Sequence, residues 1–505
     1  MELSTSKKLL LGSGLRVVAL VVTVLIGLLL TPFKIHTLGD ELYGIWVLAT
    51  SFVAMFSLLD IGLNAAVGRY AARTLGKKDY VGLNRYLNTG YYIFCGISFL
   101  SLFIAGGVAW YFFQQPEMEH ATAVAIVIII LGFQFAVLLP LQAVAGLLIG
   151  ALRYDIATAI TIVFNIISAI VVFLTLFFGG GLVGIAIASL VCALVSRSVT
   201  VWFARREVPQ AEIAVRHFDK TAVKELFSYG GLAFIISVMN TIRTKMPIFI
   251  VFAFVSVAAV TPFSIAILLS TYFSKTITAV LGILMPVFAR QQANEDFKAI
   301  RKTLKFATKV STTIAVFVAF GMIAWGGHFI ERWVGEEYLV AYPWLVILVI
   351  SALFVLCQKP SISLLYGLAK HYFHAITHTF SALATLVLGV ILVQYYGELG
   401  VAIAILIPTV FVKTFVQPLF VCHVIKESAL LYCWNILWTA LVCAVALVLP
   451  SIVTYYLAAP NYPALLLTGA LSAILYLPVV FVIFTKAERE HVWKALMKKQ
   501  TEPQS

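Results

Sequence analysis

Long apolar runs constrain this chain more than any other feature of its sequence. They recur along its whole length, and 62% of the 505 residues are hydrophobic whereas 11% are charged. Soluble domains carry about 25% charged residues. A run of about 20 apolar residues is long enough to cross a bilayer as a helix. We therefore expect an all-α polytopic membrane protein.

With that length as a ruler, the sequence predicts about fourteen transmembrane helices. They are expected at roughly residues 10–33, 41–63, 88–113, 121–149, 156–178, 182–204, 226–251, 260–288, 307–330, 341–366, 373–395, 400–424, 430–456 and 463–485. The first run continues to about Phe33 without a small-residue cleavage site, which predicts a retained helix rather than a signal peptide. The stretches between helices are at most about 25 residues long, which leaves no room for a soluble catalytic domain.

The basic residues predict the topology. Clusters of Lys and Arg follow the second, sixth and eighth predicted helices, whereas the loops at 114–120, 179–181, 255–259, 396–399 and 458–463 contain none. Basic loops stay in the cytoplasm, so both termini are expected inside. The net charge of +13 is then a matter of topology, and no nucleic-acid partner is expected. The six cysteines lie in or beside apolar runs, which predicts neither disulfides nor a thiolate metal site.

Short loop motifs predict an internal duplication. Residues 72–73 (AR) recur at 289–290, and Gly150 recurs as Gly367, both at an offset of 217. Two six-helix units in parallel orientation would place a substrate cleft between them. The predicted organisation is an N-lobe at 1–205, a cytoplasmic linker at 206–225, a C-lobe at 226–425, an extra helix pair at 426–485 and a basic amphipathic cytoplasmic tail at 486–505.

Cations inside the predicted helices are the main candidates for function. They include Arg16, Arg197, Arg243, Lys245, Lys275, Lys359 and Lys413, and they are set against one buried carboxylate, Asp60. A cation at the bilayer centre costs roughly 2.5–3.5 kcal/mol on insertion scales. Excess positive charge in a membrane cleft suits an anionic substrate, above all one with phosphate groups.

The individual cations differ in depth. Arg243, Lys275 and Lys413 lie deepest and are expected to line the cleft; the alternative is bonding to backbone carbonyls freed by nearby prolines. Arg16 either lines the cleft or extends to the headgroups, as Arg197 and Lys359 are expected to do. Lys245 can face the cleft together with Arg243 only if Pro247 distorts the helix between them.

Two polar groups leave alternatives open. Asp60 and Asn64 form either an ion-coupling pair or, more simply, a site where Asp60 pairs with a nearby arginine. His371, His374 and His378 share one helix face and suit interfacial packing, a headgroup contact or a pH-sensitive role. They lack the further ligand that a metal site needs, so no metal and no cofactor are expected.

Several segments resemble the polysaccharide-transport (Wzx-like) branch of the multidrug/oligosaccharidyl-lipid/polysaccharide (MOP) flippase superfamily. They are residues 38–46 (LGDELYGIW), 59–63 (LDIGL), 69–73 (RYAAR), Pro286 and 333–338 (WVGEEY). The resemblance spans the first twelve predicted helices. The last two helices depart from many members of the branch and are similar to the extra pair of the lipid II flippases.

The resemblance implies a MATE-like, V-shaped bundle of two lobes that works by alternating access without any enzymatic step. It implies a substrate such as a polyprenyl-diphosphate-linked oligosaccharide, moved across the bacterial cytoplasmic membrane for O-antigen, capsule or exopolysaccharide assembly. Membrane lipids and the polysaccharide polymerase or export machinery are the expected partners of a monomer. The alternatives are a multidrug exporter, disfavoured because Arg16 stands in a helix that typically carries an acid in those proteins, and a membrane polysaccharide polymerase or ligase.

Overall fold

The protein is described by a computed structural model that covers residues 5–60, 62–115, 120–281, 284–457, 462–486 and 488–489. Contacts divide the chain into two compact units, Met1–Ser264 and Ile265–Ser505. Within the described ranges the secondary structure is helical throughout, without a strand. The predicted tail beyond residue 489 lies outside the described residues.

Seven helices form most of the first unit, and most begin or end close to the predicted positions. They are α1 (Thr5–Met55), α2 (Leu63–Gly76), α3 (Tyr80–Phe113), α4 (Ala121–Gly150), α5 (Tyr154–Phe177), α6 (Gly181–Glu207) and α7 (Lys220–Phe254). The second predicted helix ends early, because a 3-10 turn at Phe56–Asp60 follows α1. Gly62 then adopts a left-handed conformation (φ 71°) that starts α2 in a new direction.

The first of the remaining helices crosses the boundary between the two units, which lies between Ser264 and Ile265. These helices are α8 (Val257–Leu281), α9 (Leu284–Ala293), α10 (Phe297–Trp333), α11 (Ala341–Cys357), α12 (Lys359–Gly367), α13 (His371–Phe411), α14 (Gln417–Ile425), α15 (Ala429–Leu457) and α16 (Tyr462–Ile483). A π-helical turn, Val412–Val416, joins α13 to α14. Such turns are often found at functional sites.

Eleven helices of the described chain are long and apolar enough to cross a membrane. Two of these spans are much longer than one crossing requires, since Gly14–Asp60 has 47 residues and His371–Ile425 has 55. Each contains a glycine with non-helical dihedral angles, Gly39 in α1 and Gly397 in α13, where two helices meet at a kink. The protein is therefore a multi-pass membrane protein, while the count of fourteen helices stays a prediction.

The cores of the two units repeat at the offset that the loop motifs predicted. Each unit has a cluster of fully buried aliphatic side chains formed by equivalent helices. In order, the matched pairs separated by 217 residues are Leu83 and Ile300, Leu87 and Leu304, Leu147 and Leu364, and Leu148 and Leu365. A shared packing arrangement, rather than a chance recurrence of small residues, explains this spacing.

The corners between helices repeat as well. A Cβ atom added to Gly150 would lie 3.2 Å from the backbone nitrogen of Ala72, and one added to Gly367 would lie 3.1 Å from that of Ala289. Both glycines are therefore needed where two backbones approach closely. The caps match too, since Asp79 and Asp296 each accept a 2.8 Å hydrogen bond from the backbone nitrogen three residues later. These contacts confirm the internal repeat at the level of local geometry.

The segment after α6 is held against α3 by buried amide side chains. Asn88 is fully buried, donates to the carbonyl of Glu212 at 2.7 Å and accepts from the backbone nitrogen of Ala214 at 2.8 Å. Asn84, one turn earlier, accepts from the nitrogen of Glu212 at 2.9 Å and donates to the carbonyl of Gln210 at 3.0 Å. The predicted linker is thus bonded through its backbone to the first unit.

Candidate functional site

Arg243 is the most unusual cation of the first unit. It lies in the interior of α7, and the Nε atom of its guanidinium is inaccessible and has no hydrogen-bond partner among the described residues. A buried donor without a partner costs about 1–3 kcal/mol, and more when it is charged. An acceptor that is not part of the described chain would remove this cost.

The other cations of this unit have different surroundings. Lys245 is half-buried, and α7 continues as a helix through Pro247 to Phe254. Side chains two positions apart on a regular helix point in directions about 200° apart. Helix α7 therefore does not bring Lys245 and Arg243 to one face. Arg16 is exposed on α1, where its guanidinium lies 4.8 Å from the centre of the Tyr154 ring.

Asp60 has a structural contact in this unit. It ends the 3-10 turn after α1, and its Oδ1 accepts a 3.0 Å hydrogen bond from the backbone nitrogen of Asn64 at the start of α2. The contact satisfies a donor that the first turn of a helix leaves without a partner. A role of Asp60 and Asn64 in ion coupling stays a prediction.

The two deep lysines of the second unit differ sharply in exposure. Lys275 is exposed on α8 and lies between the half-buried Thr271 and Thr278 on one helical stripe. Lys413 is 8% exposed and projects from the π-helical turn. Its Nζ donates a 2.5 Å hydrogen bond to Oε1 of Gln417. A neutral amide oxygen thus accepts one hydrogen bond from this ammonium group.

A buried polar network continues from Gln417, and sequence reasoning missed it. The amide nitrogen of Gln417 donates to Oγ of Ser361 at 2.5 Å and to the carbonyl of Gln358 at 3.2 Å. The Tyr432 hydroxyl donates to Oε1 of Gln358 at 3.2 Å. Four helical segments thus contribute to the surroundings of Lys413. The spacing of Lys413 and Gln417 was a visible signal, but their partners lie more than 50 residues away.

Lys34 is a further cation that the sequence-based inventory omitted. It lies in α1 shortly before the kink at Gly39, and its Nζ is 5.4 Å from the centre of the Trp46 ring. Cations over tryptophan rings gain about 0.5–2 kcal/mol. The sequence could have identified Lys34, because most of the other loops predicted on the outer side of the membrane contain no Lys or Arg.

The histidines of α13 belong to an aromatic stack. The rings of His374 and His378 are stacked with centres 5.4 Å apart. Tyr366 stacks on His371 at 5.9 Å and meets His374 edge-on at 5.8 Å. This arrangement matches the interfacial-packing interpretation of the three side chains.

Comparisons with known proteins agree with this architecture. A family model described as "Polysaccharide biosynthesis protein" matches residues 37–343. The "Putative O-antigen transporter" of Shigella flexneri is 24% identical over 394 residues, which cover 74% of this chain and 88% of that protein.

Two solved structures have a similar fold. The lipid II flippase MurJ in an inward closed conformation superposes with a TM-score of 0.72 at 15% identity, covering 94% of this chain and 98% of that one. A multidrug resistance MATE family transporter of the MOP superfamily, in an inward-facing conformation, gives a TM-score of 0.69 at 15% identity, covering 80% of this chain and 94% of that one. The predicted fold class is confirmed by these likenesses.

Proposed function

The chain belongs to the polysaccharide biosynthesis protein family, and from this premise we propose that it is a flippase for an anionic polyprenyl-diphosphate-linked oligosaccharide. It works by alternating access in the bacterial cytoplasmic membrane, with both termini in the cytoplasm. The product serves the assembly of a cell-surface polysaccharide such as O-antigen, capsule or exopolysaccharide. The name of the Shigella relative supports this class of substrate.

The inaccessible Nε atom of Arg243 is the observation that carries the proposal. This atom has no partner in the described chain, although a charge in a membrane helix is costly. Lys413 adds a buried cation that donates to the amide oxygen of Gln417. Positive charge in membrane helices suits phosphate oxygens, which accept bonds from Arg and Lys.

The mechanism needs no covalent step. In it, Arg243, Lys275 and Lys413 bind the diphosphate or acidic sugars, with Arg16 and Lys245 as further candidates. The polyprenyl chain stays in the lipid while the conformational change exposes the headgroup to the other side. The exposed ammonium of Lys275 is free to meet the substrate first, whereas the buried groups bind after partial desolvation. Removing water strengthens each of these charge-assisted bonds.

Polysaccharide export in cells tests this proposal. Single changes Arg243→Ala, Lys275→Ala and Lys413→Ala are expected to abolish export while the protein remains in the membrane, as measured by surface polysaccharide and by immunoblotting of membranes. The matched control is Lys298→Ala, which removes an exposed lysine near the start of α10 and should leave export unchanged. Full export by all three variants would refute the assignment.

A further inference from the structure

The second unit contains a polar cavity that the proposed mechanism does not use. Its volume is about 170 Å³, and its wall is formed by α10, α15 and the segment after α16. Two polar side chains on each long helix line it at i, i+4 spacing: Thr308 and Thr312 on α10, Asn435 and Thr439 on α15. Polar residues in membrane helices are rare on lipid-facing surfaces, so two facing polar stripes indicate a formed site.

Lysine side chains supply the charge of the cavity. Lys305 and Lys309 line it, one turn apart on α10. Lys305 pairs with Glu427, and Nζ of Lys309 lies 3.2 and 3.1 Å from the two carboxylate oxygens of Glu488. A carboxylate thus already occupies one wall of the cavity. The site can therefore bind anionic oxygen atoms.

The ionisation of Glu488 agrees with this geometry. Burial alone raises the pKa of its carboxyl group, but hydrogen bonds from the backbone nitrogen of Thr485 and from Lys309 outweigh it and hold the pKa below its ordinary value. Glu488 is consequently charged at neutral pH. It behaves as an internal anion on Lys309.

One hydroxyl group in the wall has only a weak partner. Thr312 is fully buried, and its side chain meets the thiol of Cys357, a weak hydrogen-bonding group. A phosphate oxygen is a stronger acceptor than a thiol, so a ligand in the cavity can take the hydrogen bond of this hydroxyl.

We propose that the cavity binds the phosphate group of a membrane lipid, with Lys305 and Lys309 as charge partners and Thr312 as a hydrogen-bond donor. The volume corresponds to about six water molecules at roughly 30 Å³ each, which is enough for a phosphate group and too little for an oligosaccharide. The lining residues lie in roughly the first four turns of α10, after the basic loop that the positive-inside rule assigns to the cytoplasm. That depth matches the headgroups of the inner leaflet.

Two carboxylates compete with the ligand, Glu488 on Lys309 and Glu427 on Lys305. A lipid phosphate that reaches Lys309 must displace the carboxylate, which frees the segment after α16. The phosphate can come from a bulk phospholipid or from the polyprenyl diphosphate of a substrate. The site is separate from Arg243, Lys275 and Lys413, so its failure would leave the proposed function untouched.

Lipid binding to the purified full-length protein in detergent tests the site. The probes are phosphatidylglycerol, a short polyprenyl diphosphate and, as a phosphate-free control, diacylglycerol, each followed by native mass spectrometry. Lys309→Gln is expected to weaken phosphate-lipid binding about tenfold, because it removes one charge-assisted hydrogen bond. Thr312→Val should weaken it by about threefold through loss of the hydroxyl. The matched control Lys298→Gln removes an exposed lysine of the same helix and should change nothing.

Glu488→Gln gives the opposite and more specific result. It removes the carboxylate that competes for Lys309, so it should strengthen binding about threefold to tenfold, a gain that misfolding cannot produce. Effects confined to phosphatidylglycerol would support the site and identify a phospholipid, and effects confined to the polyprenyl diphosphate would support it and identify the substrate lipid. Unchanged binding in Lys309→Gln and Glu488→Gln, or equal binding of diacylglycerol, would overturn the proposal.

Discussion

Lys413 and its acceptor Gln417 offer a test that separates substrate binding from structural support. The ammonium is buried and bonded to Oε1 of Gln417 at 2.5 Å. Removing a buried charge also removes its desolvation penalty, which is roughly several kcal/mol per ion. In Lys413→Met this gain offsets the cost of about 1–3 kcal/mol for the lost donor to Gln417. We therefore expect nearly unchanged thermal stability, within about 2 kcal/mol, together with loss of flipping.

Gln417→Leu should have the opposite profile. It removes the acceptor of a charged group, worth about 1.5–3 kcal/mol, and the donor to Ser361 and Gln358, worth about 1 kcal/mol. The expected loss of stability is the sum of these costs, about 2.5–4 kcal/mol. The double variant Lys413→Met, Gln417→Leu should be more stable than Gln417→Leu alone, because it no longer contains the buried charge of Lys413.

Thermal unfolding in detergent and flipping in proteoliposomes are the two assays for this set of variants. Stability and flipping should separate in Lys413→Met and fall together in Gln417→Leu. If Lys413→Met were as unstable as Gln417→Leu, the lysine would be a structural component of the network. The assignment of Lys413 to substrate binding would then be wrong.

Three further predictions concern the repeat corners and the linker. Gly367→Ala places a Cβ atom 2.8 Å from the Cβ atom of Phe288 and should lower the free energy of unfolding by about 1–3 kcal/mol. Gly150→Ala should cost less, because its nearest contacts are at 3.2 Å. Thermal unfolding of both variants measures the difference. Asn88→Ala removes two hydrogen bonds to the linker and should raise the hydrogen-exchange rates of the amides at 210–219 roughly tenfold or more. The control Lys220→Ala removes an exposed side chain and should leave these rates unchanged. The pKa of Asp219 is lowered, first by hydrogen bonds from the backbone nitrogen and hydroxyl of Thr221 and then by Arg85. The contribution of Asp219 to stability is therefore present above about pH 3.9 and is lost as the pH falls through the lower pKa of the folded state. Hydrogen exchange of the linker amides, corrected for intrinsic rates, should be constant from about pH 5 to 8, and a change within that window would contradict this assignment.

Hydrophobic runs and loop motifs were sufficient to predict the fold class and the internal repeat. The runs determine which segments can lie in lipid, and the repeated glycines mark corners such as the one between Gly150 and Ala72, where no side chain fits. Chain direction was harder to predict. The break before α2 depends on the left-handed conformation of Gly62, and the apolar pattern continues across it.

The candidate site was predicted only in its charges. Composition identified Arg243, Lys275 and Lys413 as cations in apolar surroundings, because a charge stands out in a membrane helix. The polar network around Lys413 comes from distant segments, as with Gln358 and Gln417, which are 59 residues apart. Lys34 was missed since it was counted with a loop, although Trp46 lies within reach of it. Convergence of the deep cations on one substrate stays a prediction.

The central claim is that fixed positive charge in the membrane helices selects an anionic headgroup. The most direct measurement is the flipping rate, in proteoliposomes, of a polyprenyl-diphosphate-linked oligosaccharide and of the same sugar on a neutral lipid. The wild-type protein should prefer the diphosphate lipid at least about tenfold, and Arg243→Ala and Lys275→Ala should each remove most of this preference, since a charge-assisted bond contributes about 1.5–3 kcal/mol. Equal rates for the two lipids, or an unchanged preference in both variants, would contradict this claim.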